Sequence, residues 1–163
     1  MYGNFLGRQV VRNASWAALL NLLLLSAVVR GQTGPGSADS LSSIPAGSLI
    51  TTSGVRYVIR QVGNGLRPQL KDRVTVQYRG YLPTGQLFDS SSPDRPLRFR
   101  VGRAEVIPGW DELLLVLATG TRVRAWIPAH LAYGARGVPN AEDGYLIPPN
   151  TDLIFDLELI SVR

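Results

Sequence analysis

Alternation of apolar and polar residues is the feature that most limits the fold of this chain after about residue 49. Val74, Val76 and Tyr78 alternate with polar neighbours, and residues 122–127 repeat the pattern. A two-residue period is typical of a strand with one buried face, and clean alternation favours an antiparallel sheet with one face in water. Three further segments predict strands, namely 54–60, 97–101 and 152–160.

One helix is predicted, from Trp110 to Ala118. Pro108 and Gly109 precede it, acidic residues occupy its first turn, and Gly120 follows its end, which matches the preferences of helix termini. One short helix lying across a five- or six-stranded antiparallel sheet is an α+β arrangement. The sequence predicts this fold class for residues 49–163.

The predicted helix is apolar on all sides from Leu113 to Ala118. Such a helix is either buried on every side or meets a partner. Two interpretations stay open. The run thickens the core, or Leu115 and Val116 form a weak self-association surface. A monomer is the expectation.

Residues 1–31 predict a signal peptide or an N-terminal membrane anchor. Arg8 and Arg12 precede a stretch without charge, residues 13–29. A positive end followed by an apolar run is typical of an export signal, and the run is shorter than the roughly 20 apolar residues of a membrane span. A cleaved signal and an uncleaved anchor both stay open. Either predicts an exported protein, periplasmic or membrane-anchored facing the periplasm. Residues 32–48 are Gly/Ser-rich and predict a flexible linker.

The absence of cysteine excludes several kinds of site. With 163 residues and no Cys, the chain has no disulfide, thiol nucleophile or Cys-ligated zinc, and His130 is its single histidine. We expect neither a metal nor a cofactor. After residue 30, 14 basic residues stand against 12 acidic ones, without the clustered basic face that nucleic-acid binding requires. No nucleic-acid partner is expected.

Six short motifs follow one another in the second half of the chain. They are Tyr78-Arg-Gly80, Gly85-x-x-Phe88-Asp89-Ser-Ser91, Val106-Ile-Pro-Gly-Trp110, Ala132-Tyr133-Gly134, Ile147-Pro-Pro149 and Phe155-Asp-Leu-Glu-Leu159. In this order they resemble the FKBP family of peptidyl-prolyl cis-trans isomerases, over residues 52–162. The resemblance implies a bent antiparallel sheet that wraps one short α-helix, with a proline pocket between them.

The resemblance also implies a set of site residues. Trp110 forms the pocket floor, Asp89 and Tyr133 match polar positions, and the backbone N–H of Ile107 reaches a substrate carbonyl. The implied walls are Tyr78, Phe88, Ile107 and Phe155, and the further substrate-contacting residues are Leu97, Val106, Leu146 and Ile147. Leu97 stands where the family often has an aromatic residue. Asp89 either hydrogen-bonds Tyr78 or faces the rotating carbonyl. From the residues alone, aromatics of a small domain are usually core, and Asp89 before two serines is a turn cap.

No nucleophile–base pair or phosphate loop accompanies these motifs, and rotation about the peptide bond before proline breaks no covalent bond. The resemblance implies this reaction, with proline-containing peptides and unfolded proteins as substrates and macrolides as inhibitors. Two other functions stay open. One is a non-catalytic peptide-binding module that uses the same groove. The other is a structural β-domain tethered to a membrane by residues 13–29.

The loop 134–149 is several residues longer than the shortest family loops at this place. Its extra residues, around 140–145, are expected to overhang the pocket and alter substrate preference, with Tyr145 or Leu146 as a rim.

Overall fold

The computed structural model describes residues 43–141 and 143–163. The predicted signal or anchor, and the linker up to residue 42, lie outside the described residues. Within the described ranges, no helix has the length and apolar character needed to cross a membrane.

Strands dominate the described chain, with one α-helix near its middle. In chain order the elements are β1 (Leu49–Ile50), β2 (Arg56–Gln61), β3 (Arg73–Tyr81), β4 (Leu87–Ser90), β5 (Leu97–Arg100), α1 (Pro108–Val116), β6 (Arg122–Ile127), β7 (Val138–Pro139), β8 (Tyr145–Ile147) and β9 (Leu153–Val162). Two 3₁₀ turns, 129–131 and 134–136, lie between β6 and β7. Every strand predicted from the sequence is present, and its ends differ from the prediction by two residues at most.

The main sheet is antiparallel throughout. Its strands run in the order β1-β2-β6-β9-β3-β4, and β5 also pairs with β3, which makes seven strands. The antiparallel α+β fold class is confirmed. The strand count exceeds the expected five or six because β1 adds a short edge, and because β3 is long enough to pair with β4 at one end and β5 at the other. Strands β7 and β8 form a separate hairpin.

The helix packs on one face of this sheet, here called the inner face. Val74, Val76 and Tyr78 on β3 lie on it, as do Phe155 and Leu157 on β9, and all are buried in one core cluster with residues of α1. Their neighbours along each strand lie on the opposite, outer face, because successive side chains of a strand alternate. Every second residue of β3 is buried, as the sequence pattern predicted.

Helix α1 begins at Pro108 and ends at Val116, two residues before each predicted boundary. Proline suits the first helical turn because its missing N–H has no helical partner there. The next residue, Leu117, is extended, with φ −98° and ψ 138°, and ends the helix. Of the apolar run, Leu113 and Leu114 are buried in the core, whereas Val116 is 42% exposed. The run is therefore mainly core, and Val116, the last residue of the helix, is its exposed position.

Two carboxylates in the first half of α1 hold neighbouring loops. Asp111 accepts a hydrogen bond from the Gly102 N–H at 2.8 Å. Glu112 accepts one from the Thr51 hydroxyl at 2.9 Å and one from the Ser53 N–H at 3.0 Å. These bonds fix the helix against the turn that follows β5 and the turn between β1 and β2.

Candidate active site

Aromatic rings meet edge to face between the helix and the sheet. The Trp110 ring lies 5.0 Å from that of Tyr78 and 5.1 Å from that of Phe155, with interplanar angles of 74° and 81°. Phe88 extends the group, with its ring 5.7 Å from Phe155. Pairs of this geometry stabilise by about 0.5–1.5 kcal/mol beyond the area that they bury. These four residues, called the aromatic cluster below, are brought together from four separate elements of the fold.

Gly80 allows two of these rings to approach each other. It lies on β3 opposite Phe155 on β9. A Cβ at this position would lie 2.6 Å from Cζ of Phe88 and 2.7 Å from Cε1 of Phe155, a separation that close-packed rings cannot accept without moving. In the sequence Gly80 stands only as the end of a motif. Its closeness to both rings comes from the pairing of strands that are far apart in the chain.

A fifth ring, that of Phe99 on β5, was not predicted as part of the site. It lies 6.1 Å from the Trp110 ring and is 4% exposed. The available signal was alternation, because Leu97 and Phe99 are two residues apart and therefore share one face of β5. Phe99 packs against the indole from β5, the strand on which only Leu97 was expected to belong to the site.

The polar end of the aromatic cluster is a hydrogen bond between Tyr78 and Asp89. The Tyr78 hydroxyl donates to Oδ2 of Asp89 at 2.6 Å, and the backbone N–H of Ser90 donates to Oδ1 at 2.8 Å. Of the two placements considered for Asp89, the hydrogen bond with Tyr78 is therefore present.

Both partners of this bond have shifted pKa values. Burial raises the pKa of Asp89, while the hydrogen bonds from Tyr78 and Ser90 oppose the increase. Burial also raises the pKa of the Tyr78 hydroxyl, and the hydrogen bond to Asp89 and its charge add to the effect. The phenol stays protonated and acts as a donor. This arrangement suits a reaction in which no proton is transferred.

Ser91 holds the backbone of Tyr78. Its Oγ accepts a hydrogen bond from the Tyr78 N–H at 2.9 Å, and its own N–H donates to the Tyr78 carbonyl at 3.1 Å. These bonds lie in the gap between the part of β3 that pairs with β4 and the part that pairs with β5. Ser91 therefore fixes the strand from which the Tyr78 ring projects.

Tyr133 comes from the segment after β6, and Ile107 comes from the loop between β5 and α1. Tyr133 follows a 3₁₀ turn and is half-buried against the core cluster. Burial raises the pKa of its hydroxyl, and the charge of Asp89 adds to the increase, so the two groups share one environment. Ile107 directly precedes α1, and its carbonyl accepts a hydrogen bond from the Trp110 N–H at 3.0 Å. Its backbone is thus tied to the first turn of the helix.

The predicted substrate-contacting residues divide into two groups. Leu97 and Leu146 are half-buried and pack against the core cluster. Val106 and Ile147 are only 3% and 1% exposed and belong to the core cluster, so their side chains offer almost no surface to a ligand in this conformation. Their contact with substrate stays a prediction.

The indole of Trp110 is closed off from solvent. Its exposed fraction is 0%, and those of Phe155 and Ile107 are 1% and 2%. The open pocket floor expected from the sequence is therefore not present in this conformation, because the neighbouring rings pack directly against the indole.

The long loop 134–149 carries the β7–β8 hairpin. The side-chain oxygen of Asn140 accepts a hydrogen bond from the Gly144 N–H at 2.8 Å, and the Asn140 N–H donates to the Gly144 carbonyl at 3.0 Å. Of the two candidate rim residues, Leu146 packs against the core cluster and Tyr145 is 52% exposed.

Comparison with known proteins agrees with this architecture. The family model for FKBP-type peptidyl-prolyl cis-trans isomerases matches residues 65–160, which include the whole aromatic cluster. The chain belongs to this family.

Its relatives include FK506-binding protein 4 of Neurospora crassa, 39% identical over 82% of this chain and 27% of that protein. Outer membrane protein MIP of Legionella longbeachae is 42% identical over 72% of this chain and 48% of that protein. The chain thus spans between about a quarter and a half of the length of these FKBP-type relatives.

Solved FKBP-type structures have the same fold. The crystal structure of AtFKBP13 has a TM-score of 0.67 at 35% identity and covers 72% of this chain and 100% of its own. A peptidyl-prolyl cis-trans isomerase from Pseudomonas syringae has a TM-score of 0.65 at 33% identity, over 82% of this chain and 99% of its own. The seven-stranded sheet and single helix are therefore an FKBP fold.

Proposed function

We propose that this FKBP-type protein accelerates rotation about X-Pro bonds in proline-containing peptides and in unfolded client proteins. The observation that carries the proposal is the Tyr78–Asp89 hydrogen bond at the edge of an otherwise apolar aromatic cluster. The family match over residues 65–160 supports it.

The chemistry follows from the electronic structure of the amide. Resonance makes the C–N bond planar with a rotation barrier of roughly 18–20 kcal/mol, and uncatalysed X-Pro exchange takes tens to hundreds of seconds. Twisting the bond removes the charge separation between nitrogen and oxygen, so the transition state is less polar than the ground state. A water-poor, aromatic environment therefore favours the twisted amide, and every ~1.4 kcal/mol of this preference gives a tenfold gain in rate.

Each part of the site has a separate role in this mechanism. The aromatic cluster and the Ile107 side chain hold the pyrrolidine ring and exclude water, with Trp110 as the floor. The Ile107 N–H and the Tyr133 hydroxyl bind the carbonyls that flank the proline. Asp89 holds the Tyr78 hydroxyl and sets the polarity of that end of the site. It is not a general base, because no proton moves.

Substrate entry requires a movement, because the indole has no exposed surface. Leu97, Tyr133 and Leu146 are half-buried side chains at the margin of the core cluster. Partly exposed side chains change rotamer within nanoseconds, so these three are the ones that part to admit a proline ring. A macrolide ligand needs the same opening, and Leu97 offers it less contact area than an aromatic ring.

Export is the second element of the proposal. Residues 1–31 carry the charge and hydropathy pattern of a signal peptide or membrane anchor, and one relative carries the name outer membrane protein MIP. The intact mass of the mature protein tests this. Loss of the first part of the chain would indicate a cleaved signal, and the full mass would indicate a retained anchor.

A proline tetrapeptide assay tests the proposed activity. The full-length protein should accelerate cis–trans exchange, and the double variant Asp89→Leu with Tyr133→Phe should lose most of that acceleration. The matched control is Asp94→Leu with Tyr81→Phe, which alters an exposed turn position and a half-buried tyrosine on the face of β3 opposite the aromatic cluster, and should keep the rate. An unchanged rate in the first variant would contradict the polar roles. Peptide binding without acceleration would instead indicate a non-catalytic binding module.

A further inference from the structure

Arginines from four strands gather on the outer face of the sheet. Five of them alternate along a strand with residues that face the core. The sixth, Arg60, lines one surface groove with Arg79 and Arg122. The six at the centre are Arg56, Arg60, Arg79, Arg98, Arg122 and Arg124, called the arginine face below. Along the chain they are widely spaced, which is why the sequence showed no basic cluster. Strand pairing creates the cluster.

Carboxylates neutralise only part of the arginine face. Arg124 pairs with Asp156 at 2.7 Å, and Arg122 pairs with Glu158 at 2.9 Å. The other four arginines have exposed side chains. A third acidic residue, Asp152, lines a cavity at the edge of the face together with Arg56. Because three acidic groups stand against six guanidinium groups, this face keeps a positive excess that the nearly balanced total charge conceals.

Acidic groups lie on the opposite side of the sheet. Asp89 sits beside the aromatic cluster, and Asp111 and Glu112 lie in α1, which covers the inner face. The domain is therefore polarised, with a basic outer face and acidic groups on the helix side. A molecule with this charge distribution is oriented by the electric field of a charged surface.

The N-terminal segment enters the domain at the edge of the arginine face. Ile44 and Arg56 line a cavity of about 270 Å³ together with Trp126 of the outer face. Upstream, residues 13–29 carry no charge and predict a signal or anchor. Thirteen residues, 30–42, separate this run from the first described residue. A segment held in a bilayer would thus tether the domain at the edge of the arginine face.

We propose that the arginine face binds the surface of an anionic lipid bilayer. The aromatic cluster, on the other side of the sheet, then stays turned towards solvent and client chains. Guanidinium groups bind phosphate with several donors at once, and each arginine near an anionic leaflet strengthens binding by roughly fivefold. Salt screens exposed charges beyond roughly 10 Å at ordinary ionic strength, so the interaction weakens as salt is added.

Single labels can test the orientation, because the chain has no cysteine of its own. Thr75→Cys places a fluorescent label on the outer face opposite Arg98, and Val116→Cys places one at the exposed end of the helix. The full-length protein is mixed with phosphatidylcholine vesicles that carry a headgroup quencher, with and without phosphatidylglycerol. We expect stronger quenching at position 75 than at position 116 on phosphatidylglycerol vesicles only, and loss of this difference at high salt. Because the measurement reports orientation, an inserted N-terminal segment does not mask the result.

Two triple variants distinguish the effect of the arginine face from the effect of the total charge of the protein. The first carries Arg60→Gln, Arg79→Gln and Arg98→Gln. The matched control carries Arg67→Gln, Arg103→Gln and Arg136→Gln, which remove the same charge from exposed positions outside the arginine face. The first variant should equalise quenching at the two labels, and the control should preserve the difference.

Four results would overturn the proposal. One is equal quenching at both labels in the otherwise unaltered protein. The second is the same preference on vesicles without phosphatidylglycerol, and the third is an equal effect of both triple variants. The fourth is release of the protein from phosphatidylglycerol vesicles by double-stranded DNA at matched phosphate concentration, because nucleic acid would then be the preferred partner.

Discussion

The Tyr78 hydroxyl lies 2.6 Å from a carboxylate oxygen of Asp89, and the two residues belong to paired strands of the sheet. A hydrogen bond from a phenol is strongest when its acceptor is ionised. Burial works in the opposite direction, because it raises the pKa of Asp89. The site therefore holds a carboxylate whose charge is useful for positioning Tyr78 and unfavourable for the stability of the fold.

Asp89→Asn is expected to gain stability relative to the wild type as the pH rises. Burial places the pKa of Asp89 above its ordinary value. Between the ordinary and the raised value, the folded protein binds more protons than the unfolded chain. The free energy of unfolding of the wild type therefore falls as pH rises through that window, and the Asn variant lacks this loss. Urea unfolding at a series of pH values measures the difference. Asp94→Asn at an exposed turn is the control, and a difference that stays constant with pH would contradict the prediction.

Ser91→Ala should both destabilise the domain and slow the reaction. It leaves the buried N–H of Tyr78 without its side-chain acceptor, which costs about 1–3 kcal/mol for a buried polar group. Because the Tyr78 ring follows its strand, kcat/KM should fall as well. Ser90→Ala is the matched control, since Ser90 contributes a backbone N–H that alanine retains. Urea unfolding and the tetrapeptide assay measure the two effects. Identical behaviour of the two variants would mean that the Ser91 hydroxyl does not hold Tyr78.

Gly80→Ala should push the Phe88 and Phe155 rings apart. The new methyl group would lie 2.6 Å and 2.7 Å from their nearest carbons, and overpacking of this kind costs about 1–3 kcal/mol. Thermal unfolding should show the loss, and kcat/KM should fall with it because the site is displaced. In the control Gly144→Ala, the nearest atom belongs to the Asn140 side chain at 3.1 Å, which can move. A Gly80→Ala protein as stable and active as this control would show that the rings do not need the space.

The two ion pairs of the outer face should differ in strength. Arg124 makes two hydrogen bonds of 2.7 Å to Asp156, and its side chain is 20% exposed. Arg122 also contacts both carboxylate oxygens of Glu158, at 2.9 Å and 3.2 Å, but its side chain is 55% exposed. Double-mutant cycles to alanine should give a coupling energy of about 1 kcal/mol or more for the first pair and less than about 0.5 kcal/mol for the second. Equal coupling energies from urea unfolding would contradict the ranking.

Local patterns were sufficient for much of the fold. In the segment 122–127 a two-residue period determines which side chains face the core, so the strand and its buried face follow from the sequence. At Pro108, by contrast, the start of the helix was predicted two residues late, because the residues that begin a helix are distinguished by capping geometry as well as by composition. Two strands of the main sheet, β1 and β4, were not predicted, because their two and four residues are too few to show a period.

The aromatic residues of the site that lie in the six sequence motifs were predicted from the sequence. Tyr78, Phe88, Trp110 and Phe155 were expected to meet, and their rings are in contact. Phe99 was missed although alternation along β5 pointed to it.

By itself, the sequence determined the antiparallel α+β fold, the family and the aromatic residues of the site, because periodicity and motif order are local properties of a chain. Only the tertiary structure decided that Trp110 is closed over, that Val106 and Ile147 are core, and that distant arginines form one face. Exposure and charge clustering depend on which side chains meet after the strands have paired, and those neighbours lie far apart in the sequence.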